Sequence, residues 1–345
     1  MLTRIFAKKR NNYQKTHKGI FMLVLMLFFI QAAWAQSDEQ SSENNTQSSY
    51  PDLKPAGFVQ SYFSASDLAA DPVNFSIALA RMGFKGNINE NIKLNFIGGA
   101  VEPPNNSPAL VNAFADFTID PRFNLRAGQF LVPFGLEGPE AIIKNPAINR
   151  ARPTKQMNTF RMFRDIGVMA YGEYEFVSYS IAVINGNGAN APENRYQKDV
   201  LGRLNFSLTD ELMAGISGHL GTFASDPYEK LLRQRWGAHA EYKSNPFHFR
   251  GEIMLHDREL NPETKNQDIG GYLLGTYKID EKWEAIGRWD YFAPDNVNDI
   301  YQGVTLGTNY QLSGLSSLSL NGVAYSEYNT STVNYMMRIQ LQLVL

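Results

Sequence analysis

Basic side chains are concentrated in one proline-containing segment, residues 133–163, which carries only two acidic residues. Its basic residues are Lys144, Arg150, Arg152, Lys155 and Arg161. Rings of Arg or Lys at a narrow point of a channel favour anions, so we interpret the segment as a loop that constricts a pore. Arg126 and Arg164, just outside it, complete the candidate anion site. The alternative is a loop that lies over the mouth of the molecule with its charges in solvent.

Histidine is another residue type that could carry chemistry. His219, His239, His248 and His256 lie on predicted strands, but no metal-site spacing and no nucleophile elbow accompanies them. We therefore predict no catalytic residue, no metal and no cofactor. The chain has 32 basic and 34 acidic residues, a net charge of −2. This balance predicts no nucleic-acid partner.

The elements that must position these residues are β-strands. Every second residue from Val333 to Leu345 is apolar, and a period of two is typical of a strand. The run is as long as a membrane strand of roughly 9–11 residues with an overhang. The same reading gives about sixteen strands, which start near Gly57, Val73, Asn91, Val111, Arg122, Arg164, Tyr179, Asp199, Leu212, Leu231, Phe247, Gln267, Trp283, Asp299, Ser316 and Thr332. The predicted fold class is all-β, a closed antiparallel transmembrane β-barrel.

The connections between the predicted strands alternate between tight and long. Tight links such as Asn89-Glu90 and Asp120-Pro121 are rich in turn-forming residues. Outer-membrane barrels have short periplasmic turns and long external loops, so we place both chain ends in the periplasm. Aromatic residues beside the tight links predict a girdle at the level of the lipid headgroups. They are Phe117, Phe123, Tyr174, Tyr179, Tyr242, Phe247, Tyr277, Trp283 and Tyr310.

Charge indicates which face of each strand points inward. An Arg or Lys that faces lipid at mid-bilayer costs about 2–4 kcal/mol, so mid-strand charges should share the lumen face. The wall of the lumen is therefore predicted to carry Arg203, Arg235, Arg250, Arg288 and Arg338. Acidic residues share this face, and we expect pairing across strands. The alternation is weaker over residues 73–97, where the strand register stays open.

The N-terminus predicts export. Basic residues precede an apolar run over residues 19–30 and a small-residue cleavage site, the three parts of a cleavable signal peptide. We expect a signal peptide over 1–35, a flexible lead-in over 36–56 and the barrel over 57–345. The alternative for the first segment is a short N-terminal anchor helix.

One part of the chain resembles a known family. The stretch Arg126-Ala-Gly-Gln-Phe-Leu-Val-Pro-Phe-Gly-Leu-Glu137, followed by Arg164-Asp165-Ile-Gly-Val168, is similar to the porin O and P family, the phosphate-selective porins. In that family the first stretch closes one strand and opens the constriction loop, and the second begins the next strand. The resemblance implies a sixteen-stranded, trimeric porin whose eyelet is basic and attracts anions.

These features predict an outer-membrane porin of a Gram-negative-type cell envelope. It would be a passive diffusion channel for small hydrophilic solutes, with anions such as phosphate preferred. Its partners would be outer-membrane lipid, the solutes and further copies of the same chain in a homotrimer. The alternative is a non-conducting barrel with a surface-interaction or scaffolding role, its lumen plugged by side chains and the loop.

Overall fold

Sixteen antiparallel strands form the wall of the computed structural model, which describes residues 49–67, 73–102, 107–191, 193, 197–223, 231–261, 264–295, 300–327 and 332–345. They are β1 (Asp52–Ser66), β2 (Val73–Asn87), β3 (Ile92–Val101), β4 (Ala109–Asp120), β5 (Phe123–Leu131), β6 (Arg164–Tyr174), β7 (Val177–Ile184), β8 (Asp199–Ser207), β9 (Leu212–Phe223), β10 (Leu231–Ser244), β11 (Phe247–Asn261), β12 (Thr264–Lys278), β13 (Trp283–Ala293), β14 (Tyr301–Ser313), β15 (Ser316–Ser326) and β16 (Asn334–Val344). Each strand pairs with its neighbours in sequence, and β1 pairs with β16 to close the barrel. The predicted fold class is confirmed. The predicted signal peptide lies outside the described residues.

The predicted strand starts agree with the structure for every strand except β1. Half of them, those of β2, β6, β8, β9, β10, β11, β13 and β15, are the predicted residues, and seven more lie within three residues. β1 begins at Asp52, which pairs with Asn87 of β2. The predicted lead-in over 36–56 is therefore too long at its C-terminal end. A polar composition does not prevent backbone groups from pairing with a neighbouring strand.

The two faces of the wall differ as predicted. Outward side chains are apolar and accessible, with exposed fractions of 46% for Trp236, 54% for Ile253 and 63% for Leu273. Their inward neighbours Arg235 and Glu252 are buried. An apolar outer band around a polar interior is the arrangement of barrels that cross an outer membrane.

The predicted aromatic girdle follows one end of the barrel. Its exposed members are Phe117, Phe123, Tyr174, Tyr242, Phe247, Tyr277 and Trp283. The remaining two, Tyr179 and Tyr310, are partly exposed. The rings of Trp283 and Tyr310 lie on adjacent strands with their centroids 4.8 Å apart. These rings recur beside the tight turns, as a headgroup-level girdle requires.

The weak alternation over residues 73–97 has a structural cause. The pairing of β2 with β1 skips Ala78, which is an extra residue in β2 and forms a β-bulge. A one-residue shift moves all later side chains to the opposite face. Phe75 is 80% exposed on the outer face before the bulge, whereas Arg81 binds a buried carboxylate inside the barrel after it. The alternation before Ala78 therefore does not predict which face of the sheet the side chains after it occupy.

The helical turns of the described chain lie between β5 and β6. They are α1 (Arg152–Met157) and the 3-10 turns Ile142–Lys144 and Arg161–Phe163. In the ranges that the structure describes, no helix is long and apolar enough to cross a membrane. The connection that holds these turns, residues 133–163, is the predicted constriction loop. It is named the inward loop here because of the contacts described next.

Candidate functional site

The inward loop lies inside the barrel, and wall side chains bind its backbone. Arg235 donates to the carbonyl of Met157 at 2.9 Å, Arg288 to Asn149 at 2.6 Å, Asn309 to Pro146 at 2.9 Å and Gln342 to Ile143 at 3.1 Å, while Asn321 accepts from the N–H of Ile148 at 2.9 Å. The wall residues stand on β10, β13, β14, β15 and β16. The loop therefore runs along a wide arc of the inner wall.

The first turn of the inward loop, residues 135–137, is bound to β9 and β11, and we call it the loop root. The N–H of Gly135 donates to Ser217 Oγ at 3.0 Å. The N–H groups of Leu136 and Glu137 donate to the two carboxylate oxygens of Glu252, at 3.1 and 3.5 Å. Gly135 has a φ of +75°, and a Cβ there would collide with Glu252 Oε1. The turn therefore requires glycine.

An apolar cluster fills the space between the loop and the wall. Phe134, Met157 and Phe160 of the loop pack with Phe130 of β5 and Met254 of β11. The exposed fraction is 7% or less for all five. Removing these side chains from the water of the lumen stabilises the folded loop.

Buried charges tie the loop to itself and to β11. Arg150 donates to the carbonyls of Glu137 and Glu140, and the carboxylate of Glu137 accepts the N–H of Ala151 at 2.9 Å. Arg250 of β11 donates to the carboxylate of Glu140 at 2.8 Å. Glu137 is fully buried, and a buried charge is tolerated only when it is paired or hydrogen-bonded. These contacts give the loop a defined position.

One side of the lumen stays uncovered. Among the described residues, no hydrogen bond joins the inward loop to β1, β2, β3 or β4. On this side Lys93 is exposed, and Tyr62, Asn95, Asn112 and Arg338 are partly exposed. We refer to the space between the loop and the wall formed by β16 and β1–β4 as the opening.

Unpaired cations border the opening. Lys155 of α1 is exposed inside the barrel, and the strongest charges acting on it are Arg152, Arg338 and Arg288. Within the described ranges neither Lys155 nor Arg338 has a carboxylate at ion-pair distance. The guanidinium of Arg338 lies over the ring of Tyr62, 4.5 Å from its centroid. Desolvation, followed by repulsion from these cations, lowers the pKa of Lys155.

The acidic residues on the other flank of the opening are already paired. Arg81 binds both oxygens of Glu102, at 2.5 and 2.7 Å, and Arg126 binds both oxygens of Asp116, at 2.7 and 3.0 Å. Arg164 donates to an amide oxygen at 2.8 Å rather than to a carboxylate. Bidentate pairing neutralises each of the two carboxylates with its own arginine. The opening as a whole keeps a positive charge.

The first half of the barrel matches a known family. The family described as phosphate-selective porin O and P matches residues 58–223, which run from β1 to the end of β9 and include the inward loop. Over these residues the chain is similar to the porin O and P family. A comparison with curated proteins found no match.

Solved porin structures share the fold. The anion-selective porin from Comamonas acidovorans has a TM-score of 0.65 at 11% identity, with 85% of this chain and 99% of that chain covered. OmpT of Vibrio cholerae in its trimer form gives the same four values. The outer membrane channel DcaP of Acinetobacter baumannii has a TM-score of 0.62 at 10% identity, with coverages of 85% and 97%. Such low identities show the fold alone. The family match points to an outer-membrane porin rather than an enzyme.

Four predicted cations serve the inward loop rather than the water of the lumen. Arg235, Arg250 and Arg288 face inward, but their exposed fractions are 1%, 4% and 6%. Arg150 is 7% exposed and donates to loop carbonyls. Arg235, Arg250 and Arg288 lie on the lumen face as predicted for the wall, and Arg150 belongs to the predicted anion site, but in the structure all four hold the loop in place. Strand parity predicts where a side chain points but not what covers it.

The other predicted cations of this porin are spread around the lumen. Lys155, Arg152 and Arg338 border the opening, Arg126 and Arg164 lie on its other flank, Arg203 is partly exposed on β8, and Lys144 and Arg161 are exposed in the two 3-10 turns. Sequence reasoning missed Ser217 and Tyr62, since neutral strand residues give no charge signal. In the described part of the chain no group of three or more His, Asp or Glu could hold a metal ion.

Replacing Gly135 by Ala tests the seating of the loop. We expect a loss of about 1–3 kcal/mol, because the positive φ becomes strained and the new Cβ meets Glu252. The measurement is the free energy of unfolding of the refolded porin in urea. Gly202→Ala is the matched control, since a Cβ at Gly202 meets nothing within 4 Å. Equal stability of the two variants would contradict the proposed seating.

Proposed function

We propose that this porin is a passive diffusion channel that prefers small anions. The observation that carries the proposal is Lys155, a cation that is exposed inside the barrel and has no carboxylate partner in the described part of the chain. Arg152 and Arg338 add to the positive potential around it. A cationic constriction raises the local concentration of anions and repels cations.

The charges around the opening support this sign of selectivity. Its cations are Lys93, Arg81, Arg126, Arg152, Lys155 and Arg338, and the carboxylates bound to them are Glu102, Asp116 and Glu327. Six cations against three carboxylates leave a formal excess of three positive charges. The excess lies where the inward loop narrows the lumen, so a permeating solute must pass through its field.

The comparisons support the same class of solute. The matching family is described as phosphate-selective, and one solved structure of the same fold is titled an anion-selective porin. Phosphate and other small oxyanions suit the arginines of the opening, because guanidinium groups bind such oxyanions through two parallel N–H donors. We extend the anion preference to this chain on the strength of its own unpaired cations.

A non-conducting barrel is the second candidate. The observation that favours it is the inward loop, which contacts much of the inner wall and buries Tyr272, Arg288 and Thr305. Stepwise conductance in planar bilayers separates the two candidates. A porin that refolds into a heat-modifiable barrel and never conducts would support the second one.

Replacing Lys155 and Arg338 together by Ala should reduce the anion preference. Two unit charges about 4 Å apart in water interact by about 1 kcal/mol, so each lost cation should lower the anion permeability and raise the cation permeability by about fivefold each, which is about 25-fold in their ratio. The measurement is the reversal potential in a salt gradient. The control is Lys278→Ala with Lys282→Ala, which removes the same charge at exposed positions beside a tight turn. A cation-selective wild type, or equal ratios in the two double variants, would contradict the proposal.

The anion preference should decline at alkaline pH. A lysine is charged below its pKa, and the lowered pKa of Lys155 brings the loss of charge to a lower pH than usual. The permeability ratio should therefore fall as the pH rises from about 7 towards the usual lysine pKa of about 10.4. Lys155→Arg is the control, because arginine stays protonated over this range. A decline of equal size in both proteins would assign it to other groups.

Export and assembly are part of the proposal. The basic and apolar N-terminal segments support cleavage of residues 1–35, and a porin of the same fold has been solved in a trimer form. The mass of the purified chain should therefore correspond to a start at Gln36, and the undissociated protein should contain three copies. A retained N-terminus would contradict the predicted cleavage, and a monomeric barrel in mild detergent would contradict the trimer.

A further inference from the structure

We propose that Glu252 is the positioning residue that sets the width of the opening. Its side chain is buried on β11, with an exposed fraction of 5%. Both carboxylate oxygens accept backbone N–H groups of the loop root, those of Leu136 and Glu137. Asp290 of β13 also accepts a loop N–H, that of Arg152, but Glu252 is distinguished by binding the loop root with both of its oxygens. The other polar wall contacts to this backbone come from arginine, amide and hydroxyl groups.

The position of Glu252 is transmitted to the cations of the opening through hydrogen bonds. Glu137 donates its N–H to Glu252 and accepts the N–H of Ala151 on its own carboxylate, at 2.9 Å. Ala151 is the residue immediately before α1, which carries Arg152 and Lys155. Two hydrogen bonds and one turn of helix therefore separate Glu252 from the unpaired ammonium of Lys155.

Glu252 lies among charges of both signs. Glu137 and Glu140 of the loop lie near it, and Arg150, Arg203 and Arg250 lie around these carboxylates, so three acids face three arginines. A Gln side chain would offer one acceptor oxygen and turn its amide N–H₂ towards the second loop N–H. It would also leave an arginine without its counter-charge. Both effects weaken the binding of the loop root to the wall.

The direction of the resulting movement follows from the geometry. The loop root rests against the wall at β9 and β11, and the opening lies on the opposite side of the loop. A loop released from Glu252 cannot move outward through a closed sheet, so its sideways movement is directed towards β1–β4. Loss of the carboxylate should therefore narrow the opening and allow the loop to fluctuate.

The test is a distance across the opening in Glu252→Gln. The natural chain has no cysteine, so spin labels on Lys155→Cys and Lys93→Cys, both exposed in the lumen, report one distance without background. In Glu252→Gln we expect this distribution to shift to shorter values and broaden, with a lower and more flickering conductance in otherwise native channels. The control is Glu241→Gln on β10, an inward carboxylate that binds His248 and Lys243 and not the loop.

The outcomes decide between positioning and general packing. An unchanged distance in a Glu252→Gln barrel that refolds to the same extent would overturn the proposal, as would an equal shift in Glu241→Gln. If Glu252→Gln does not refold, Ser217→Ala removes only the neighbouring acceptor and Glu252→Asp keeps the charge. Each should give a smaller shift, and no shift in both would count against the proposal. The inference rests on the proposed channel, but the distance is independent of it: a wild type that never conducts would refute the channel alone.

Discussion

The structure depends on one constraint, the need to satisfy every backbone N–H and C=O group that crosses an apolar bilayer. The pairing of β1 with β16 meets it, because a closed sheet has no unpaired edge. Closure then assigns the side chains: the outer face must be apolar, and the inner face can carry charge. The inward loop brings further backbone into this interior without a strand partner. Wall arginines, amides and Glu252 supply the missing hydrogen bonds, so the same requirement that closes the barrel also holds the loop.

The barrel itself could be predicted because the apolar outer face and the polar inner face appear in the sequence as residues that alternate with a period of two. Strands such as β10, β11 and β13 alternate without interruption, and their starts and faces follow from the sequence. The prediction failed where backbone geometry alone decides. The bulge at Ala78 reverses parity inside β2 without any residue type that marks it. The pairing of Asp52 with Asn87 extends β1 into a stretch whose composition is typical of a flexible segment.

The segment that forms the site could be predicted, but the roles of its individual residues could not. The basic composition of residues 133–163 and the family-like stretch before them located the inward loop. Arg235 and Arg338, however, are equivalent in the sequence, since both are inward-facing arginines in alternating strands. The loop covers Arg235, which is 1% exposed, whereas Arg338 lies partly exposed over Tyr62. Only the path of the loop distinguishes an arginine that supports the structure from one that faces the solute.

The residues that carry the family resemblance shape the start of the loop and the strands on either side of it. Gln129 donates to the carbonyls of Leu110 and Val111, at 2.7 and 3.1 Å, Gly135 provides the left-handed turn, and Asp165 accepts the N–H groups of Ile166 and Gly188. Neither Lys155 nor Arg338 belongs to the quoted stretches, and Arg338 lies beyond the matched residues 58–223. The resemblance is therefore an argument about where the constriction is. The choice of solute depends on charges that can change while the loop keeps its place, so selectivity has to be argued from the unpaired cations of this chain.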